Sequence, residues 1–253
     1  MIGIFDSGLG GLTAFAVADR LFPRTDILYA ADPARVPYGD RPAAQLQSFI
    51  RQAAHYFKDS GAEFLLLACG TLSVNLSPGW QPPLPVVGIV EPSVAAACRA
   101  TRNRKIAVAA TAATTATRSF TRRIQASDPA IQTLEIPCPL FAPLVEKGLS
   151  DRDYVKNCVA ESLRPALDFG ADTLILGCTH YPWLSEAIAA YLPGVTLINS
   201  GAEAAKSLPT PATAEQGRRE FRVTGDTEVF RRNAARLLGE FPWQVEPLLL
   251  PPI

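Results

Sequence analysis

The sequence predicts an α/β protein of two similar lobes, each a mostly parallel sheet flanked by helices, pseudo-twofold related with the active site between them. Three observations predict this. Short apolar runs alternate with amphipathic stretches along the chain, the pattern of right-handed βαβ units. Residues 61–71 (Gly-Ala-Glu-Phe-Leu-Leu-Leu-Ala-Cys-Gly-Thr) and 170–180 (Gly-Ala-Asp-Thr-Leu-Ile-Leu-Gly-Cys-Thr-His) repeat one design: glycine-alanine, an acid, an apolar strand, then a cysteine. Ile106-Ala-Val-Ala-Ala-Thr echoes Ile2-Gly-Ile-Phe-Asp-Ser as the strand opening each half.

In chain order, strands are expected at 2–5, 27–31, 64–68, 86–90, 106–110, 133–137, 173–177 and 195–198. Their continuous apolar runs suit strands buried on both faces. Amphipathic helices are expected at 43–59, 92–101, 152–169 and 183–191. Gly61 and Gly170 each follow a helical pattern and precede a strand, where a glycine ends a helix. The first lobe is placed at 1–95 plus 207–253 and the second at 96–206. The crossing falls near 95–104, marked by Arg99, Arg102, Arg104 and Lys105. Beyond 207 come a proline-rich turn, a short strand and a helix-like run at 226–238. A helix of that length needs a partner surface, which the first lobe is expected to supply.

The 253 residues include 48% hydrophobic and 19% charged residues, which excludes a disordered chain. Balanced charge, 24 basic against 24 acidic, argues against a nucleic-acid or membrane-surface partner. The five cysteines are scattered and never spaced as Cys-x-x-Cys, so reduced thiols in the cytoplasm are expected. No basic segment leads into a long apolar stretch at the start, and no apolar run reaches membrane-spanning length.

Ligand sites in open α/β sheets lie at the carboxyl ends of strands. Cys69 and Cys178 both stand there, one per lobe, so each thiol is placed for chemistry. The loop Asp6-Ser7-Gly8-Leu9-Gly10-Gly11 leaves the first strand, and its glycines let backbone N–H groups approach an anion. It departs from the dinucleotide pattern, whose last glycine would fall on Thr13. The plainer reading makes Asp6 only a helix cap. Tyr38 and Gly39, after the second strand, lie on the same sheet edge, although alone they read as a proline turn.

His180 lies two residues past Cys178, and an imidazolium beside a thiol lowers its pKa. His55 reads as structural. Cys69, Cys178 and His180 could also form three zinc ligands, but no fourth accompanies them, so no metal is expected. No cofactor is expected either, because every lysine lies off the strand-end motifs. Cys98, Cys138 and Cys158 read as small buried apolar residues, and Glu146 as a helix-surface acid. Two opposed thiols, an acid, a histidine and anion-receiving loops suit proton abstraction next to a carboxylate. One thiolate removes the Cα proton and the other thiol delivers one to the opposite face.

Phe5-Asp-Ser-Gly-Leu-Gly-Gly-Leu, Val36-Pro-Tyr-Gly, Gly88-Ile-Val-Glu-Pro, Cys138-Pro-Leu-Phe, Leu176-Gly-Cys-Thr-His-Tyr-Pro, Ile198-Asn-Ser-Gly-Ala-Glu and Val223-Thr-Gly-Asp, in that order along the chain, resemble the cofactor-independent glutamate racemases. The resemblance implies a homodimer that racemises glutamate without a cofactor and supplies D-glutamate for peptidoglycan synthesis. It implies Cys69 and Cys178 as the acid/base pair, assisted by Asp6, His180 and Glu146. Substrate contacts are implied at Asp6, Ser7, Tyr38, Gly39, Gly70, Thr71, Thr111, Thr114, Thr179 and His180.

The chain departs from that family at Gly70, where asparagine usually follows the first cysteine, and at Ala110, usually glycine. A lost hydrogen bond to a charged group is worth about 1.5–3 kcal/mol, so Gly70→Asn is expected to raise activity toward glutamate. Two alternatives are a superfamily member acting on another amino acid or small diacid, and a non-catalytic binding protein. Only Gly70 supports the latter, against both cysteines, Asp6 and His180.

Overall fold

The computed structural model describes residues 1–149, 151–213, 215–239 and 244–250. Residues 150, 214, 240–243 and 251–253, which the lobe assignment includes, lie outside that description.

In chain order the strands are β1 (Ile2–Asp6), β2 (Ile27–Ala31), β3 (Phe64–Leu67), β4 (Val86–Gly88), β5 (Lys105–Ala110), β6 (Gln132–Pro137), β7 (Thr173–Leu176), β8 (Thr196–Asn199), β9 (Arg219–Val223) and β10 (Val245–Pro247). The helices are α1 (Leu12–Leu21), α2 (Ala43–Asp59), α3 (Gly70–Ser73), α4 (Val90–Ala100), α5 (Ala112–Ala116), α6 (Ser119–Ser127), α7 (Phe141–Glu146), α8 (Arg152–Phe169), α9 (Ser185–Tyr191), α10 (Ser200–Lys206) and α11 (Thr227–Leu238). One sheet runs β10-β9-β2-β1-β3-β4 and the other β6-β5-β7-β8. Every pairing is parallel. This is the α/β architecture of two helix-flanked parallel sheets that the alternation predicts.

All eight strands expected from sequence form, with shifts of one or two residues at their ends. The fourth stops at Gly88 instead of running to 90. The Ile89 N–H leaves the ladder to bond the Ser73 hydroxyl at 3.1 Å, and Ile89 O accepts from the Ser93 hydroxyl at 2.5 Å, so α4 begins at once. Gly61 (φ 83°) and Gly170 (φ 70°) take the left-handed conformation that ends α2 and α8 just ahead of β3 and β7.

Packing follows the sequence periodicity. α2 buries Leu46, Phe49, Ile50, Ala53, Ala54 and Phe57, a stripe of three- and four-residue steps, against Phe5, Leu28, Leu65 and Leu67. Phe57 is wholly buried, worth about 1.5–3 kcal/mol for a side chain of its kind. On the opposite face, Leu12 and Phe15 of α1, Ala204 and Ala205 of α10, and Phe230 and Ala234 of α11 share a core with Ile4, Tyr29 and Leu66. Val90, Val94 and Ala97 of α4 pack instead with Ile106, Val108 and Ile175 of the second sheet. α8 covers its other face through Val159, Leu163 and Ala166.

Parallel pairing puts the carboxyl ends of each sheet's strands along one edge. The loops after β1, β2, β3, β5, β6 and β7 all reach one cavity of about 840 Å³.

Candidate active site

Every site residue expected from sequence except Asp6 lines that cavity. Cys69 and Gly70 enter at the exit of β3; Cys178, Thr179 and His180 enter at the exit of β7. The wall also contains Val36, Pro37, Ala142, Pro143, Val229 and Phe230, so a few polar groups act within largely apolar surroundings.

Asp6 lies beneath the floor, fully buried. Its Oδ1 accepts the Gly8 N–H at 2.8 Å and its Oδ2 accepts the Thr179 hydroxyl at 3.1 Å. Gly11, not Asp6, occupies the cap position of α1, with no side-chain cap bond. The carboxylate therefore orders the β1 loop and ties it to the residue after Cys178. Thr13 adds a second tie, its hydroxyl donating to Thr179 O at 3.1 Å.

The two thiols have unlike surroundings. Cys69 is buried, and its pKa is pushed from 9.0 up to about 12. Desolvation is the largest cause, followed by the charge of Asp6, while the Leu72 N–H and the Ser7 hydroxyl oppose the rise. Cys178 Sγ lies 3.7 Å from His180 Nδ1, and His180 Nε2 lies 2.7 Å from Glu146 Oε1. Burial alone would lower the pKa of His180. Hydrogen bonds to Cys178 and Glu146, reinforced by the charges of Cys178 and Asp6, hold it well above the ordinary 6.5. The imidazole is thus set to carry a proton beside one sulfur, whereas the other sulfur is held as a thiol.

A raised pKa means that the native state binds the proton more tightly than the unfolded chain. The stability tied to the neutral Cys69 thiol is complete below pH 9.0 and is lost as pH climbs toward about 12. In Cys69→Ala, melting temperature should therefore fall less steeply over this alkaline range than in the wild type. Equal slopes would show that the thiol is not held neutral by the fold.

Glu146, which its own sequence surroundings present as a surface acid and only the family resemblance adds to the assisting groups, ends α7 within reach of His180. Thr111 caps α5, and its Oγ1 donates to Thr114 Oγ1 at 3.0 Å. Tyr38 lines the cavity, but its hydroxyl donates to Asp32. Asp32 is fully buried and also accepts from Arg35 Nε at 2.5 Å and from the Thr224 hydroxyl at 2.7 Å, pinning the 33–40 wall to the end of β9. Sequence reasoning missed Asp32, although an acid one residue past a strand exit is the signal that picks out Asp6. It also missed the cavity wall of α11, which arises only from long-range packing. Cys138, read as buried filler, is a third cavity thiol, also pushed up to about 12 by burial and by the charge of Cys178.

No lysine is among the described residues lining the cavity. Among the described residues, no three His, Cys, Asp or Glu side chains group as metal ligands.

Residues 16–208 match the family model described as Asp/Glu/Hydantoin racemase. A glutamate racemase of Gloeobacter violaceus is 38% identical to this chain, the match covering 100% of this chain and 97% of that protein. The crystal structure of a glutamate racemase isoform from Bacillus anthracis superposes with a TM-score of 0.92 at 33% identity, covering 99% of this chain and 98% of that one. The glutamate racemase of Francisella tularensis, crystallised with D-glutamate, gives 0.86 at 30% identity over 98% and 97%. The chain belongs to the Asp/Glu/hydantoin racemase family.

Proposed function

We propose that this racemase interconverts L- and D-glutamate by a two-cysteine acid/base mechanism, without cofactor or metal. The observation carrying this reading is the convergence of two repeat-related cysteines, from the strand exits of two sheets, on one cavity. Glutamate as substrate rests on the curated relatives and on the D-glutamate bound to the Francisella tularensis enzyme.

In this mechanism Cys178 starts as thiolate beside the His180 imidazolium, which Glu146 supports, and Cys69 starts as thiol. The Cα proton passes to the Cys178 sulfur. The electron pair left on Cα spreads into the adjacent carboxylate, which Ser7, Thr71, Thr111, Thr114 and Thr179 would hold by hydroxyl and backbone donors. The Cys69 thiol then gives its proton to the opposite face of Cα, inverting the centre and leaving Cys69 as thiolate. The reverse reaction runs the same steps backwards. Unequal resting states serve this cycle, because one sulfur must start as base and the other as acid.

The lobes 1–95 with 207–253 and 96–206 would each carry one cysteine, with the enzyme acting in the cytoplasm as a homodimer and feeding D-glutamate to peptidoglycan synthesis. No helix among the described residues is long and apolar enough to cross a membrane. The test is polarimetry of L-glutamate with chelator-treated protein. Rotation should decay to zero, while L-aspartate should keep its rotation. Racemisation of aspartate but not glutamate would move the enzyme to the alternative substrate class, and loss of activity with chelator would refute the metal-free mechanism.

A further inference from the structure

The turn bearing Cys178 is gripped on both sides by glycines of the first sheet's loops. A Cβ at Gly70 would lie 2.4 Å from the carbonyl oxygen of Gly177, the residue just before Cys178. A Cβ at Gly10 would lie 2.5 Å from His180 Nδ1 and 2.6 Å from the Thr179 hydroxyl, just after it. Real Cβ atoms essentially never approach neighbours within 3.0 Å. The two contacts differ in what can yield. His180 and Thr179 are side chains, whereas Gly177 O is backbone at the end of β7, fixed by the Gly177 N–H bond to Ala109 O at 2.8 Å.

We propose that Gly70 is a positioning residue whose missing side chain lets the Cys69 turn seat directly on the Gly177 carbonyl, and so sets the separation of the two cysteines. This rests on the two-cysteine reading of the site. Gly70 immediately follows Cys69, and Gly177 immediately precedes Cys178, so the contact joins the two sulfur-bearing backbones with no intervening side chain. Any Cβ at position 70 must push the turns apart by several tenths of an ångström. Both proton transfers occur across the gap that this contact fixes. The earlier expectation for Gly70→Asn is therefore reversed: the amide cannot be added without first breaking the contact, and activity falls.

The test compares wild type with Gly70→Ala and Gly70→Asn. A misplacement of about 1 Å can cost about 10²-fold in rate, so kcat for Gly70→Ala should drop roughly 10- to 100-fold with a smaller change in KM. The primary isotope effect with Cα-deuterated glutamate should rise, because lengthened proton transfers become more rate-limiting. A merely misfolded fraction would lower kcat without moving that isotope effect.

An independent measurement needs no turnover. Bis-alkylating thiol reagents of increasing span are applied to each protein and the Cys69–Cys178 bridge is located by peptide mass mapping. The wild type should accept the shortest reagent and Gly70→Ala only a longer one. If Gly70→Ala fails to fold, failure of the wild type to bridge with short reagents would itself overturn the proposal. Unchanged kinetics and span in Gly70→Ala, or higher activity in Gly70→Asn, would also overturn it. Should glutamate prove not to be the substrate, the bridging result still stands or falls alone.

Discussion

Cys69→Ala and Cys178→Ala are each expected to lower kcat/KM for glutamate by about 10⁴-fold, the upper range for removing a positioned acid or base. In the proposed cycle one sulfur takes the Cα proton and the other delivers one in every turnover, so the cycle fails whichever is lost. The pair acts as a unit, and the double variant should be barely worse than either single one. Thermodynamics adds a constraint. The enantiomers have equal free energy in water, so kcat/KM must fall equally in both directions. Only kcat and KM taken separately can differ. Stopped assays run from both enantiomers would check this. Retention of more than a tenth of wild-type kcat/KM by either variant would remove that cysteine from the mechanism.

The second large effect concerns the unlike surroundings of the two sulfurs. His180→Asn should lower kcat/KM at neutral pH by about 10²-fold or more, and the deficit should shrink as pH rises. The reason is electrostatic. His180 keeps its proton because Cys178 and Glu146 hold it there, which puts a positive charge 3.7 Å from the sulfur that acts as base in the proposed cycle. Without the ring, the proposed cycle loses the positive charge beside its base, a loss that alkaline solution offsets. Glu146→Gln, which weakens the imidazolium but keeps the ring, should show the same pH trend with a smaller loss. The pH profiles of kcat/KM for the three proteins would decide this. A deficit that stays constant with pH would give His180 a packing role.

The strands carrying Cys69 and Cys178 were readable because a buried parallel strand is a continuous apolar run, and the repeat gave two copies to compare. The loop after β1 was equally readable, since glycines at a strand exit have a local meaning. Glu146 was not. Its relation to His180 depends on how α7 packs beside β7, and a short helix ending in an acid resembles any surface helix. β10 is three residues long, ends in Pro247 and pairs only at the sheet edge, so it leaves little pattern to read. α10 is short and rich in alanine, and its burial between α1 and α4 is a tertiary fact. Gly70 was the instructive case. Its sequence position drew attention to a missing amide, whereas its surroundings show that the absent Cβ is what the close approach to Gly177 requires.

In the proposed reaction two sulfurs, one on each face of the substrate, each move one proton. The most direct test is racemisation of unlabelled L-glutamate by the wild type in D₂O, stopped early and resolved into enantiomers by chiral separation and mass spectrometry. A sulfur that takes the Cα hydrogen differs from the sulfur that delivers deuterium. D-glutamate should therefore contain one deuterium from the first turnover, while the remaining L-glutamate stays essentially unlabelled. Deuterium appearing at equal rates in both enantiomers would show a single base serving both faces and would rule out the two-sulfur mechanism.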